Sequence, residues 1–240
     1  IIAERSGASV HLSETEEQTI RSYADPGERA ARLRRFAAEH GLEPETTETV
    51  IRIFSAFRTA ASSFNASGFL SGGDRLEAGG RAVDVISTPG HSRGHLSFHL
   101  PEERLLIAGD HILPHITPNL SPDLIAPEFH PLEDFLASLA RVEALAVSRV
   151  CPAHGRPFSD PQTRIADMRD HHRERSEMAR QALSEGARSC ADVSRFMFGD
   201  GLAPFDRLLA LNESFVHLRQ LEKEHKVCSR RLNGHILFER

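Results

Sequence analysis

The sequence predicts a mixed α/β domain followed by a small helical domain that closes with a β-hairpin. Residues 74–109 alternate short apolar segments with turn residues, a pattern typical of strands. Residues 13–62 and 160–224 carry apolar side chains at helical spacing, with Glu and Arg at many of the other positions. Near the end, two apolar segments flank Asn233-Gly234, the preferred sequence of a tight hairpin turn.

Length, charge and cysteine content limit the function classes. The chain has 240 residues and a formal net charge of -5, so its overall charge does not favour a polyanionic partner. Its three cysteines are scattered and odd in number, which argues against a disulfide framework and a cysteine zinc site. No apolar segment approaches the ~20 residues of a membrane span, and the start lacks the pattern of a signal peptide. We therefore expect a cytoplasmic protein.

The first residues predict the end of a helix. Residues 1–7 close on Gly7, which is typical of the position just after a helix, and residues 8–12 predict a strand. A chain that opens inside a helix is expected to be a fragment of a longer protein.

Residues 13–62 predict a helical insertion. Asp25-Pro26 predicts a helix N-cap followed by proline at the first helical position. Phe36 and Phe54 fall on the apolar faces of two amphipathic helices. We expect these faces to pack onto the strand-rich part of the chain, and the insertion to cap a pocket for a small molecule.

Three predicted strands lead into motifs that combine His or Asp with Gly or Pro. TPGHSRGH, at residues 88–95, follows a predicted strand at 83–86. AGDH, at 108–111, follows a strand at 104–108, and PAHG, at 152–155, follows a strand at 148–151. A further strand is predicted at residues 96–100 and a helix at 132–147. Because strand ends hold polar side chains rigidly, we expect these motifs to carry the chemistry of the protein.

The motifs supply one carboxylate and two imidazoles, a ligand combination that suits zinc, iron or manganese. We predict His91, Asp110 and His154 as metal ligands. Taken alone, each histidine could instead be an ordinary turn or surface residue. Asp110 could instead be a helix N-cap or form an ion pair with an arginine. The occurrence of all three motifs in order, each at a strand end, favours the metal site.

Other polar residues lie beside the predicted ligands. His95 lies in a glycine-containing loop, so we predict that it hydrogen-bonds near the metal without binding it. His111 and His115 follow Asp110 and are candidates to line the pocket. We predict that His115 and Asn119 contact the substrate, with an ordinary surface role as the alternative.

The three motifs, in this order, resemble the second half of the metallo-β-lactamase superfamily domain. The resemblance covers roughly residues 1–158 and implies a four-layer αββα sandwich, here partial. It implies two divalent metals, zinc being expected, with His91 on the first, Asp110 bridging both and His154 on the second. Residues 159–240 resemble the small winged-helix domain of one branch of that family, so we predict a domain boundary near Phe158.

One family motif is missing from the sequence. HxHxDH, which carries the other metal ligands and the aspartate that orients the nucleophile in the family, occurs nowhere in these residues. We expect it upstream in the full-length protein, and the catalytic base with it. The chain alone is expected to bind zinc weakly and to have no robust activity.

The sequence therefore predicts a metal-dependent hydrolase that acts on a small ester, thioester or amide through a metal-bound hydroxide. Two alternatives stay open: a metal-dependent endoribonuclease, as the winged helix suggests, and a catalytically inactive fragment that serves as an interaction module. The predicted recognition helix, residues 204–224, is nearly balanced in charge. This balance favours a packing or homodimer role over binding of nucleic acid.

Overall fold

The computed structural model describes residues 5–22, 25–60 and 66–240. The helices in these residues are α1 (Glu14–Ser22), α2 (Pro26–Glu39), α3 (Pro44–Ala60), α4 (Pro131–Glu143), α5 (Pro161–Ala182), α6 (Cys190–Phe198) and α7 (Pro204–Lys223). The strands are β1 (His11–Leu12), β2 (Gly68–Phe69), β3 (Arg75–Ala78), β4 (Arg81–Ser87), β5 (Leu96–Leu100), β6 (Leu105–Gly109), β7 (Arg149–Pro152), β8 (Phe158–Ser159), β9 (Arg188–Ser189), β10 (Cys228–Leu232) and β11 (His235–Glu239). The predicted mixed α/β class is confirmed.

The described residues form two compact units. Unit 1 takes its described residues from Ile1–Arg21, Ser63–Pro118 and Glu133–Arg169, and unit 2 from Ser22–Ser62, Asn119–Leu132 and Asp170–Arg240. Most of the predicted insertion is therefore in the same unit as the C-terminal segment. The predicted domain boundary near residue 158 and the winged-helix assignment stay predictions.

Unit 1 is built on a six-stranded sheet with the order β3-β4-β5-β6-β7-β8. Strands β3 to β6 pair antiparallel, whereas β6 and β7 pair parallel. A parallel pair needs a long crossover connection, and here α4 lies in the connection between β6 and β7. A separate parallel pair, β1 with β2, forms a second small sheet in the same unit.

The register of the sheet defines its two faces, because paired residues on neighbouring strands share a face. The row His99, Leu106 and Val150 is buried. The opposite face carries the row Phe98 and Ile107, and Ile107 is 44% exposed although it lies in the middle of a central strand. The described residues of unit 1 therefore cover one face of the sheet well and leave apolar surface on the other.

Unit 2 has a single core to which both its insertion helices and its C-terminal helices contribute. Phe36 and Val50 are buried in the same cluster as Leu211 and Leu218 of α7. The Phe36 and Phe215 rings lie 5.1 Å apart in an edge-to-face arrangement. Unit 2 also contains the three-stranded sheet β10-β11-β9.

The predicted packing partner of the insertion was wrong. Phe36 and Phe54 were expected to pack onto the strand-rich part of the chain, but both contribute to the unit 2 core. Phe54 contacts the Phe205 ring of α7, with 5.8 Å between the ring centroids. The amphipathic pattern shows that a helix buries one face, but it does not identify the surface that covers this face.

Two local predictions are confirmed. Asp25 Oδ1 accepts hydrogen bonds from the Gly27 and Glu28 backbone N–H groups, as an N-cap does. Asn233 and Gly234 have φ angles of 49° and 85° between the paired strands β10 and β11. A two-residue hairpin turn of this kind requires positive φ at both positions.

Some predictions fall on residues outside those described. They are residues 1–4 of the predicted helix end at 1–7, and residues 23, 24, 61 and 62 of the predicted insertion at 13–62. Within the described ranges, no helix combines the length and the apolar character that crossing a membrane requires.

A pair of buried histidines lies inside unit 2. His172 Nδ1 is 3.5 Å from His217 Nε2, and His217 Nδ1 is 2.9 Å from the Ser176 hydroxyl. Burial lowers the pKa of both imidazoles below the ordinary value, and the nearby His171 and Arg175 side chains lower each pKa further. Both histidines are therefore neutral in the folded protein at neutral pH.

This pair predicts a loss of stability in mild acid. Between about pH 6.5 and pH 4 the unfolded chain binds protons that the folded chain excludes, so the free energy of unfolding decreases as the pH falls. Urea denaturation at pH 7.5 and pH 5.0 should show a loss of at least about 1.4 kcal/mol. His172→Gln should reduce this pH dependence, and the exposed control His225→Gln should not. Equal pH dependence in the two variants would contradict the prediction.

Candidate metal centre

Three predicted ligands meet at one edge of the unit 1 sheet. Asp110 directly follows β6, and His154 lies two residues after β7. Because β6 and β7 are parallel, both strands deliver the residues that follow them to the same edge. Strand β4 has the same direction as β6, since each pairs antiparallel with β5, and the loop after β4 brings His91 to that edge.

The Asp110 carboxylate lies between the two imidazoles. Its Oδ1 is 3.3 Å from His154 Nε2, and its Oδ2 is 4.0 Å from His91 Nε2. The exposed fractions of the side chains are 36% for His91, 30% for Asp110 and 73% for His154. The cluster is therefore open to solvent and accessible to a ligand.

The donor types of these three residues suit divalent cations that share one carboxylate. Each Asp110 oxygen faces a different imidazole nitrogen, so a carboxylate bridge would leave one imidazole for each cation. Imidazole and carboxylate donors together suit zinc, iron and manganese. No group of three or more His, Cys, Asp or Glu side chains within residues 5–22, 25–60 and 66–240 has an arrangement that could hold an ion. The three residues thus supply part of a site, and their role as ligands stays a proposal.

His95 is fixed beside the carboxylate by a chain of hydrogen bonds. The Asp110 backbone N–H donates to His95 Nε2 at 3.2 Å, which leaves the ring proton on Nδ1 of the neutral imidazole. Nδ1 is 2.8 Å from the Thr88 hydroxyl, which is 2.8 Å from the Ser97 hydroxyl. The Ser97 hydroxyl donates to the Ala108 carbonyl at 3.3 Å. Burial lowers the pKa of His95 to about 4, so the ring is neutral at physiological pH.

His95 lies beside the predicted ligand Asp110, and its role near a metal stays a prediction. Both ring nitrogens are engaged within the protein, so neither is free to bind a metal. The ring instead holds the backbone of Asp110 and so orients the carboxylate. Thr88 and Ser97 were not predicted as site residues, because a small hydroxyl side chain in a strand or loop has no distinctive sequence pattern.

Thr88→Val is expected to weaken this support while preserving the side-chain shape. It leaves the buried His95 Nδ1 proton without its acceptor, which should destabilise the protein by about 1–3 kcal/mol. Loss of the support should also weaken zinc binding by about 10- to 100-fold. Thermal unfolding and zinc titration calorimetry measure the two effects. Thr49→Val is the control, because the Thr49 hydroxyl that it removes donates to the Glu45 carbonyl and accepts from Arg52, both within its own helix. Equal effects of the two substitutions would contradict the assigned role.

The start of α1 supports the loop that carries His91. The Ser13 hydroxyl accepts from the Glu16 N–H at 3.1 Å and donates to the Gly94 carbonyl at 2.7 Å. The Ser92 hydroxyl donates to Glu16 Oε2 at 2.8 Å. Ser13 and Glu16 have the spacing of a capping box, which predicts the start of a helix. This pattern does not predict that the glutamate side chain binds a distant loop.

The residues that follow Asp110 differ in their exposure. His111, a candidate to line the pocket, is fully buried, and its ring packs edge-to-face on Phe135 of α4 at 5.1 Å. Burial lowers its pKa to about 3. The prediction that His111 lines the pocket was therefore wrong, because α4 covers this side chain.

The two predicted substrate contacts lie further along the same loop. His115 is exposed, and the Asn119 amide donates to the Ser121 hydroxyl at 2.8 Å. Contact of His115 and Asn119 with substrate stays a prediction.

Comparison with known proteins identifies a family for the site. The model of the metallo-beta-lactamase superfamily matches residues 13–154, which include all three predicted ligands. A solved beta-lactamase domain protein from Burkholderia ambifaria superposes with a TM-score of 0.84 at 30% identity, over 97% of this chain and 66% of that protein.

Two curated relatives are similar at lower identity. A beta-lactamase-like protein 2 homolog from Caenorhabditis elegans is 28% identical over 65% of this chain and 50% of its own length. An atrochrysone carboxyl ACP thioesterase from Aspergillus fumigatus is 26% identical over 50% of this chain and 39% of its own length. The chain thus spans half or less of the length of these relatives.

Proposed function

Because the chain belongs to the metallo-beta-lactamase superfamily, we propose that the protein hydrolyses a small ester, thioester or amide with divalent metals. The observation that carries this proposal is the convergence of His91, Asp110 and His154 at one sheet edge. Two imidazoles and a carboxylate between them suit the binding of two cations.

The residues of this chain would hold and orient the metals. His91 and His154 would each bind one metal and Asp110 both; when bound, such metals lower the pKa of a water and polarise the bond to be cleaved. His95 keeps the Asp110 backbone in place through its Nε2. The buried hydrogen bonds of Thr88 fix the His95 ring, so the carboxylate is positioned before substrate arrives.

Zinc is the metal we propose, with iron and manganese as alternatives. The donor types suit all three metals, so the choice among them rests on measurement. The sequence lacks HxHxDH, and we propose that further donors outside these 240 residues complete the two sites. The chain by itself is therefore proposed to bind zinc weakly.

A small-molecule substrate fits the charges of the chain better than RNA does. The cations near the β10–β11 hairpin are already paired with carboxylates: Lys226 with Glu224, Arg230 with Glu239 and Arg231 with Glu39. A nucleic-acid surface needs cations that are available to phosphates. The alternative function as an endoribonuclease therefore has little support in unit 2.

The name of one relative supports thioesters as the substrate class. The similar protein from Aspergillus fumigatus is a thioesterase, and it is 26% identical to this chain. We propose thioesters first, with oxygen esters and amides as further classes.

An activity panel on the natural full-length protein tests this function. The zinc-loaded protein is incubated with an acyl-N-acetylcysteamine thioester, 4-nitrophenyl acetate, an acyl anilide and single-stranded RNA. We expect hydrolysis of at least one small acyl compound and no RNA cleavage. RNA cleavage without acyl hydrolysis would favour the nuclease, and no turnover of any substrate would favour the inactive interaction module.

We also propose a reducing compartment such as the cytoplasm. This is supported by the cysteines, since Cys151, Cys190 and Cys228 are all free thiols. A homodimer stays a prediction from the sequence.

A further inference from the structure

Unit 2 contains a cavity that shares no residue with the proposed metal centre. Its volume is about 250 Å³, and its wall is formed by α2, α7 and residues 122–132. At about 30 Å³ per water molecule, this is space for roughly eight waters. The cavity can therefore hold a small organic molecule rather than a single ion.

The wall of the cavity is mainly aromatic and apolar. Phe36, Phe129 and Phe215 line it together with three prolines and two leucines of the 122–132 segment. His40 also lines the cavity and is 3% exposed, and its Nδ1 makes no hydrogen bond with the described residues. Burial lowers the pKa of His40 to about 4, so this ring adds no charge at neutral pH. Such a wall favours a ligand with a flat apolar body.

The charged groups of the wall leave one cation available. Two of its three arginines are paired with carboxylates outside the wall, Arg32 with Glu28 and Arg219 with Glu222. The third, Arg35, forms no ion pair with a carboxylate of the described residues.

The carboxylates of the wall are also engaged. Glu39 pairs with Arg231 at 3.0 Å, and Asp123 accepts a hydrogen bond from the Ile125 N–H at 2.9 Å. Counted over its three arginines and two carboxylates, the wall carries one net positive charge, which attracts a monoanion. The charge of the cavity thus matches a monoanion.

We propose that this cavity binds a small organic carboxylate with an aromatic or branched apolar body. The Arg35 guanidinium pairs with the carboxylate, and Phe36, Phe129 and Phe215 contact the apolar body. Guanidinium and carboxylate match in geometry, because both are planar and form two parallel hydrogen bonds. This site is independent of the hydrolytic function, since none of its residues is a proposed metal ligand.

Binding of 4-phenylbutyrate to this chain tests the proposal. Calorimetric titration is done in EDTA, so that the carboxylate has no metal to bind. We expect saturable binding with a Kd on the order of 0.1–1 mM, as is usual for a ligand of this size. The uncharged 4-phenylbutyramide should bind about tenfold more weakly. Amide resonances of α2, α7 and residues 122–132 should shift in the nitrogen–proton NMR spectrum.

Substitutions in the cavity wall distinguish binding at this site from nonspecific association of the ligand with the protein. Arg35→Gln should weaken 4-phenylbutyrate binding by about tenfold and leave 4-phenylbutyramide binding unchanged. The matched control is Arg34→Gln, the neighbouring arginine, which pairs with Glu48 and does not line the cavity. Phe129→Ala should weaken the acid and the amide alike.

Three results would overturn the proposal. They are an absence of saturable binding, equal effects of Arg35→Gln and Arg34→Gln, and tighter binding of the dianion phenyl phosphate than of the carboxylate. Because none of these measurements involves hydrolysis, they leave the proposed function untouched.

Discussion

Asp110→Asn is expected to abolish hydrolysis by the natural full-length protein and to lower its zinc affinity by at least about 100-fold. The amide keeps the shape of the side chain but loses the negative charge between His91 and His154. Loss of a supporting residue already costs 10- to 100-fold in metal affinity, so loss of a bridging ligand should cost more. Zinc titration calorimetry and the rate of acyl hydrolysis measure the two effects.

The control for this substitution is Asp84→Asn on the same sheet. Asp84 lies 3.5 Å from Arg75 in an ion pair near the protein surface, and such pairs contribute little to stability. We expect Asp84→Asn to retain zinc affinity and activity. If Asp110→Asn kept wild-type zinc affinity, Asp110 would not be a metal ligand.

Gly109→Ala is expected to destabilise the protein by about 2–5 kcal/mol and to weaken zinc binding. Gly109 has a φ of 55°, and a Cβ atom there would lie 2.6 Å from His95 Nε2. The added methyl would displace the imidazole that holds the Asp110 backbone. Chemical denaturation and zinc titration measure both consequences.

Gly79→Ala is a matched control for this substitution. Gly79 has a φ of 60°, almost the same as that of Gly109, but a Cβ atom there meets nothing within 4 Å. The control should cost only about 1–2 kcal/mol for the left-handed backbone. Equal losses in the two variants would show that backbone strain alone explains the effect and that the contact with His95 does not contribute.

The strand pattern predicted how the candidate site is assembled. The bounds of β5, Leu96–Leu100, are those predicted, and the ends of β4, β6 and β7 bring the three motif residues together. This worked because each motif joins an apolar strand to glycine or proline, and strands of one direction end at one edge. Their role as metal ligands stays a proposal.

Features that depend on tertiary contacts were not predictable from the pattern. Strand β3 lies in the segment 74–109 that was predicted to be rich in strands, but it was not predicted individually, because its four residues are all exposed and bury no apolar face. The contact of Glu16 with Ser92 joins residues 76 positions apart, and a local motif does not identify such a partner. The burial of His111 depends in the same way on α4, which follows it in the chain.

The packing of the insertion shows the same limit. Its helices were predicted from their periodicity, but the surface they cover was assigned to the wrong part of the chain. The partner is α7, whose buried leucines include Leu208, Leu211, Leu218 and Leu221. A helix that is apolar on several sides can accept more than one neighbour, and the sequence of either helix alone does not reveal this pairing.

Anomalous scattering at the zinc absorption edge, from crystals of the zinc-loaded full-length protein, tests the central claim most directly. The account predicts two zinc peaks, one within about 2.0–2.2 Å of His91 Nε2 and one equally close to His154 Nε2, with an Asp110 oxygen bound to each. Zinc bound elsewhere, with these three side chains free of metal, would contradict it.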